Sequence, residues 1–365
     1  MTSTELLGQT GSVYLWGASG MLGGEFLRLL EVHPRLRVRQ AVSRGGAEAG
    51  ALHPHCGRTW DVTTPEEVGA DLARTLENGD DPLCVLALPH GESAATWAAL
   101  RAELGPRADR VRVLDLAADF RLRDPDLYER TYGRPHPDPE ELHAFVYGLP
   151  EFHGDALRGA RRVAAPGCFA TAMQLATVPA AAAGLLDPAA PWVLSGVTGS
   201  SGSGAAPKPS THHPHRHGNL WAYATEGHRH EAELEQALTG LDPALAEVPL
   251  QFVAHSGPFA RGIHLTALLP LAEPCTAKEA RAIYAGAFGG HPFVEVLEEG
   301  TPDLRSVVGS NRASLAVSVR RGMLCVLVTI DNMIKGGAGQ GLQCINLMLG
   351  LPETTGLPRS GLGVC

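Results

Sequence analysis

Apolar positions along the chain fall into two kinds of run, and their order is the first guide to its architecture. Ser12-Val-Tyr-Leu-Trp16, Cys84-Val-Leu-Ala-Leu88 and Val111-Arg-Val-Leu-Asp-Leu116 are short and almost wholly apolar, the pattern of strands buried on both faces. Each stops at a turn or loop: Gly17-Ala-Ser-Gly20, Pro89-His90-Gly91 and Ala117-Ala-Asp119-Phe-Arg121. Beyond the first turn, Phe26, Leu27 and Leu30 recur at helical spacing, and Leu36 to Val42 reads as the next strand. Repeated strand-to-helix units with short loops predict a parallel sheet covered on both faces. Asp124-Pro-Asp-Leu-Tyr128 and Pro135-His-Pro-Asp-Pro139 read as surface connections.

The pattern changes after residue 165. A helix is expected from Ala170 until Pro179, followed by strand-like runs Trp192 to Thr198, Pro249 to Ala254 and Ile263 to Leu269. Thr276 with Glu279 forms a capping box opening a helix to about Phe288, and Ser314 to Arg320 pairs with Met323 to Ile330 through Arg321-Gly322. Asp331-Asn-Met-Ile-Lys-Gly-Gly-Ala-Gly-Gln340 is a glycine turn that opens a helix carrying Leu342, Ile345, Leu347 and Leu349. The expected fold is α/β: a Rossmann-type dinucleotide-binding domain over 1–165, an α+β domain with an antiparallel or mixed sheet over 166–334, and a helix over 335–365 returning to the first domain.

Composition narrows the function. A chain of 365 residues suits two domains, and a net charge of −9 with Lys208 and Lys278 as the only lysines before Lys335 argues against nucleic acid or a membrane surface and for a small-molecule ligand. Seven cysteines without a C-x-x-C pair fit a reducing compartment. Residues 1–7 lack a signal-like start and no apolar run approaches spanning length, so a cytoplasmic protein is expected.

The candidate chemistry centres on Cys168. Pro166-Gly167 sets it at the start of a helix, where free N–H groups and the helix dipole favour the attacking thiolate; a small buried cysteine is the competing reading. Glycines 17, 20 and 23, between a strand and a helix, suit a pyrophosphate on the helix N-terminus. At the end of the next strand Ser43 and Arg44 suit the 2′-phosphate of NADP, where an acidic residue would suit NAD. His90, Asp119 and Arg121 lie at strand ends as candidate wall residues, with a structural Asp119–Arg121 ion pair slightly preferred to a catalytic role. Gly199-Ser-Ser-Gly-Ser-Gly204 reads equally as an anion-binding loop or a flexible linker. Histidines 212, 213, 215, 217, 228 and 230 invite a metal reading, but match no closed zinc spacing; a base for the thiol is the alternative.

Taken together, Gly17 to Gly24, Ala87-Leu-Pro-His-Gly91, Ala118-Asp-Phe-Arg121, Phe145-Val-Tyr-Gly-Leu-Pro-Glu151, Pro166-Gly-Cys168, Gly227-His-Arg-His230, Arg261-Gly-Ile263 and Asp331-Asn332 with Lys335-Gly336 make the chain resemble the N-acetyl-γ-glutamyl-phosphate reductases, arginine-pathway members of the aspartate-semialdehyde dehydrogenase-like family. The resemblance runs from Gly17 to Leu357. It implies reductive dephosphorylation of an acyl phosphate through a Cys168 thioester, with His228 as base and His230 a near-equal candidate. It implies NADP on Gly17, Ala18, Ser19, Gly20, Met21, Leu22, Gly23, Ser43, Arg44, Pro89, His90, Gly199 and Asn332, and substrate on Arg121, Ser201, His230 and Arg261, in a homodimer or homotetramer without a metal. Phe169-Ala-Thr-Ala172 departs from the usual Tyr-Pro-Thr-Ala and is also similar to the sister reductases of lysine biosynthesis, which act on 2-aminoadipate 6-phosphate borne on a small acidic protein. A non-catalytic NADP-sensing or zinc-binding protein is the expectation from a different class.

Overall fold

A computed structural model describes residues 11–44, 53, 55, 56, 60 and 62–363, so residues 1–7 and Cys365 lie outside the described residues. The chain forms two units, one of residues 1–165 with 338–357 and one of residues 166–337 with 358–365.

In the first unit the chain runs through β1 (Gly11–Trp16), α1 (Met21–Glu31), β2 (Leu36–Val42), β3 (Val62–Thr63), α2 (Pro65–Glu77), β4 (Leu83–Leu86), α3 (Glu92–Leu104), β5 (Arg112–Asp115), α4 (Pro125–Tyr132), β6 (Val146–Tyr147), α5 (Pro150–Leu157) and β7 (Arg162–Ala164). The strands make one parallel sheet of order β3-β2-β1-β4-β5-β7-β6. Strand order reverses between β1 and β4, so the turn after β1 opens at the position where such sheets bind ligands. The apolar runs are interior: Val13, Leu15, Cys84, Val85, Val113 and Leu114 are all buried. Residues 124–139 depart from the surface reading. Asp124 accepts from the Asp126 amide to cap α4, and Tyr128 and His136 of this stretch are buried; the polar Pro-Asp signals marked a helix start rather than a connection.

The second unit contains α6 (Cys168–Ala182), β8 (Trp192–Thr198), α7 (His213–Arg216), β9 (Trp221–Tyr223), α8 (Glu231–Leu241), β10 (Leu250–Ser256), β11 (Ile263–Pro270), α9 (Ala277–Phe288), β12 (Val294–Val296), β13 (Ala313–Arg320) and β14 (Met323–Ile330). Its sheet, of order β12-β13-β14-β11-β8-β10-β9, is mixed: β8–β10 and β12–β13 are parallel, the other pairs antiparallel. Arg321 and Gly322 both have positive φ, 51° and 74°, the two-residue turn that closes β13 on β14 in register. The Thr276–Glu279 capping box is formed. The helix expected to stop at Pro179 instead runs through it to Ala182, because Ala180 to Ala182 favour helix and α6 is buried along nearly its whole length.

After β14 the chain passes through a turn at Ile334–Ala338 into α10 (Gly339–Met348), which belongs to the first unit; there Gln340 donates to the Gly148 carbonyl at 2.8 Å. The expectation that everything after 335 joins the first unit needs correction. Asn311 N donates to Pro358 O and Leu362 N to Val308 O, which hold residues 358–363 on the second unit.

Gly17 has φ +75°, and a methyl group there would lie 2.1 Å from the Ala87 carbonyl oxygen. Gly17→Ala should therefore lower the stability of the first unit by about 2 kcal/mol or more, read as a fall of several degrees in melting temperature.

Candidate active site

Cys168 opens α6 with Gly167 as its N-cap, and no side chain caps that helix end. The half-buried thiol therefore sits beside the first amides of a fifteen-residue helix, where a negative sulfur is favoured. Two segments of the second unit, the start of α8 and the turn after β14, converge there. The buried Glu233 carboxylate, on the first turn of α8, accepts the Gly167 amide at 3.0 and 3.3 Å. The His230 ring lies against Gly167 so closely that a methyl group at that glycine would be 2.4 Å from Nε2. The turn after β14 closes the third side, where a methyl group on Gly336 would lie 2.7 Å from Cys168 Cβ.

His228 stands behind this contact in an aromatic cage. Its ring meets Phe169 and Phe252 edge-on, each at 5.5 Å, Tyr223 at 5.9 Å and His230 at 4.6 Å. The His230 amide donates to His228 Nδ1 at 3.2 Å, which places the His228 proton on Nε2. Burial, with the charge of Arg229 second, pushes the pKa of His228 down to about 4. Tyr223 titrates well above its ordinary range because it is buried, and the nearby Cys168 charge pushes it the same way.

Arg261 forms a two-point ion pair with the fully buried Asp331, Nε to Oδ2 at 3.1 Å and Nη2 to Oδ1 at 3.2 Å. Asp331 also accepts the amides of Gly309, Met333 and Ile334. Asn332 uses both ends of its amide: Oδ1 accepts from Gly262 N at 2.7 Å and Nδ2 donates to Ser201 Oγ at 2.9 Å. Ser201 Oγ in turn donates to Ala260 O, and the amides of residues 199–201 bond to 259–262. Gly199 to Gly204 is thus stitched to the Arg261 loop and is not a flexible linker. Lys335 is fully buried one residue before Gly336.

In the first unit, Gly20 caps α1 without a side chain. A methyl group on Gly23 would lie 2.2 Å from the Gly17 carbonyl oxygen, so this turn admits no side chain at 17 or 23. Ser19 Oγ and Ser43 Oγ are 2.9 Å apart. The side chain of Arg44 is well exposed and meets Glu92 at 3.4 Å. An open α1 N-terminus with a hydroxyl pair and a cation beside it fits a phosphate-bearing dinucleotide. Asp119 has another task than the expected ion pair with Arg121: its carboxylate accepts the Gly91 and Ala94 amides at 2.6 and 2.9 Å and meets His90 Nδ1 at 2.7 Å, capping α3 from a distance. Arg121 donates to the carbonyls of Ala165 and Leu116. Leu22 is half-buried beside these turns; Pro89 and Met21 are exposed.

Sequence reasoning passed over Glu233 and Tyr223, and quoted Gly336 only within a motif. Glu233 reads as an ordinary acidic first-turn residue, and nothing local marks it as buried. Among the described residues no group of three or more His, Cys, Asp or Glu side chains is placed to hold a metal ion, and no helix is long and apolar enough to cross a membrane.

Residues 12–160 match the family described as semialdehyde dehydrogenase, NAD binding domain, and 168–332 that described as semialdehyde dehydrogenase, dimerisation domain. An N-acetyl-γ-glutamyl-phosphate reductase of Saccharopolyspora erythraea is 42% identical over 95% of this chain and 97% of its own. A LysW-L-2-aminoadipate 6-phosphate reductase of Deinococcus radiodurans is 37% identical over 96% and 97%. The crystal structure of aspartate semialdehyde dehydrogenase II from Vibrio cholerae shares the fold with a TM-score of 0.66 at 17% identity, over 94% of this chain and 99% of that one.

His228 protonates near its ordinary 6.5 when unfolded and near 4 when folded, so between these values the unfolded chain takes up a proton that the folded chain does not. Its contribution to stability is full above pH 6.5 and is lost as pH falls towards 4, by on the order of 3 kcal/mol. Melting temperature should fall more steeply between pH 7 and 5 in the parent than in His228→Asn, and equal slopes would refute the assignment.

Proposed function

The chain belongs to the semialdehyde dehydrogenase family, in the group that joins N-acetyl-γ-glutamyl-phosphate reductases with LysW-aminoadipate phosphate reductases, and from that membership we propose that it reduces N-acetyl-γ-glutamyl phosphate to N-acetylglutamate semialdehyde with NADPH, in arginine biosynthesis. The observation that carries the reading is the thiol at the start of α6 with the His230 ring on the residue before it.

The Cys168 thiolate attacks the acyl carbon, and phosphate leaves with the bonding pair to give a thioester. NADPH would be held by residues 17–23 with Ser43 and Arg44 and would supply a hydride to the thioester carbon, and the oxyanion left there takes a proton from an imidazolium to give a hemithioacetal. The hemithioacetal hydroxyl gives its proton to an imidazole, the carbon–sulfur bond breaks, and the aldehyde departs from the regenerated thiolate. We assign that imidazole to His230. Its ring adjoins Gly167, whereas a His228 with a pKa near 4 is a weak acceptor at neutral pH and instead takes the His230 amide. Arg261, clamped by Asp331 and still part exposed, suits a substrate carboxylate. The engagement of Asn332, Gly199 and Ser201 with their neighbours supports a role in shaping the Arg261 loop.

The unit also bears on assembly. The sheet face carrying Val193, Leu268, Cys325 and Leu327 is half-buried to exposed, with Val193 and Leu268 each 40% accessible. Together with the dimerisation description of the matching family, this supports a homo-oligomer built on that face. The free described cysteines suit a cytoplasmic enzyme. A second substrate reading has one observation in its favour: Lys208 and His212, His213, His215 and His217 form an exposed stretch that suits a small acidic carrier such as the lysine-pathway enzymes use.

Cys168→Ser should fold and lose at least about 10³-fold in rate, measured as phosphate-dependent NADP⁺ reduction with N-acetylglutamate semialdehyde beside its carrier-linked aminoadipate counterpart; a faster reaction with the latter would transfer the enzyme to the second reading. Arg44→Asp should raise KM for NADPH by about 10-fold or more with little change for NADH, and an unchanged ratio of the two kcat/KM values would remove Arg44 from the cofactor site.

A further inference from the structure

A carboxylate with no exposed surface is costly unless its oxygens are bonded, so a buried acid on the first turn of a surface helix calls for a reason. Glu233 is such an acid. Its position in α8 agrees with the helix dipole, but the amide it accepts belongs to Gly167, 66 residues away and next to the thiol. The same helix end carries His230 as its N-cap, and the His230 ring lies on the same glycine. One helix terminus therefore brings an imidazole and a carboxylate to the residue before the nucleophile.

We propose that Glu233 is a positioning residue that fixes Gly167, holds the His230 imidazole and the Cys168 thiol in register, and by its charge favours the imidazolium that forms when His230 takes a proton. This inference rests on Cys168 being the nucleophile. Nucleophile, base and a third group that orients the base is the general form of such sites, and here the third group reaches the nucleophile's own helix cap. Other groups set the field around the pair: Tyr223 of β9, His228, Arg229 and Glu231 before and at the start of α8, Asp331 and the buried Lys335 near Gly336. Removing a negative charge beside the pair moves its ionisations to lower pH, whichever of these neighbours is charged.

Glu233→Gln keeps an oxygen to accept the Gly167 amide, and Glu233→Ala does not. In the full chain, the Gln variant is expected to retain its melting temperature within about 2 °C and KM within about threefold, while kcat falls about 10- to 100-fold. The pH midpoint of Cys168 alkylation by iodoacetamide should move down by about one unit. The Ala variant should lose more activity and also melt lower. A Gln variant with parental kcat and an unmoved alkylation midpoint, or one whose activity and melting temperature fall together with the midpoint unmoved, overturns the proposal. Alkylation of Cys168 that leaves the rate intact would instead overturn the nucleophile, whatever Glu233 does.

Discussion

The absence of a side chain at Gly167 is the constraint on which the rest of the site depends. A methyl group there would collide with the His230 ring, so the imidazole can stand beside the start of the Cys168 helix only because this cap residue is glycine. The same residue, as N-cap, leaves the α6 terminus open, and its amide is taken by Glu233. Imidazole, helix dipole and buried carboxylate thus meet at one backbone unit. The opposite side is closed in the same manner by Gly336, where again only hydrogen fits against Cys168.

Around this point the second unit spends buried polar groups on fixing loops. Asp331 has no exposed surface and is saturated by a guanidinium and three amides, which offsets the cost of burying its charge. The clamp holds Arg261 in place while leaving it partly exposed. Asn332 and Ser201 extend the network to the glycine-serine loop, so a stretch whose composition suggests flexibility is held at several amides.

The first unit uses backbone economy in another way. Its phosphate-sized turn is tight because Gly17 touches Ala87 and Gly23 touches Gly17, joining β1, α1 and the end of β4 by van der Waals contact. The neighbouring α3 terminus, which could compete for an anion, is already filled by Asp119 with His90. That leaves α1 as the open N-terminus at the strand-order reversal.

The sequence alone determined the features that local spacing controls. Short apolar runs ending in glycine turns specified the parallel sheet, because strands covered on both faces have no polar alternation. Arg321-Gly322 specified a hairpin, because the turn needs two residues at positive φ. Pro166-Gly167 marked Cys168 as the start of a helix, since proline and glycine break the preceding strand. Tertiary structure alone decided the partners. His228 and His230 are two residues apart and chemically alike, and only the fold puts one ring on Gly167 and packs the other among Phe169, Tyr223 and Phe252. Asp119 and Arg121 look like an ion pair in the chain, yet amides brought close by folding claim the carboxylate. Glu233 carries no local mark at all, because its burial and its hydrogen bond to Gly167 come from the packing of α8 against α6, a contact that no periodicity within either helix encodes.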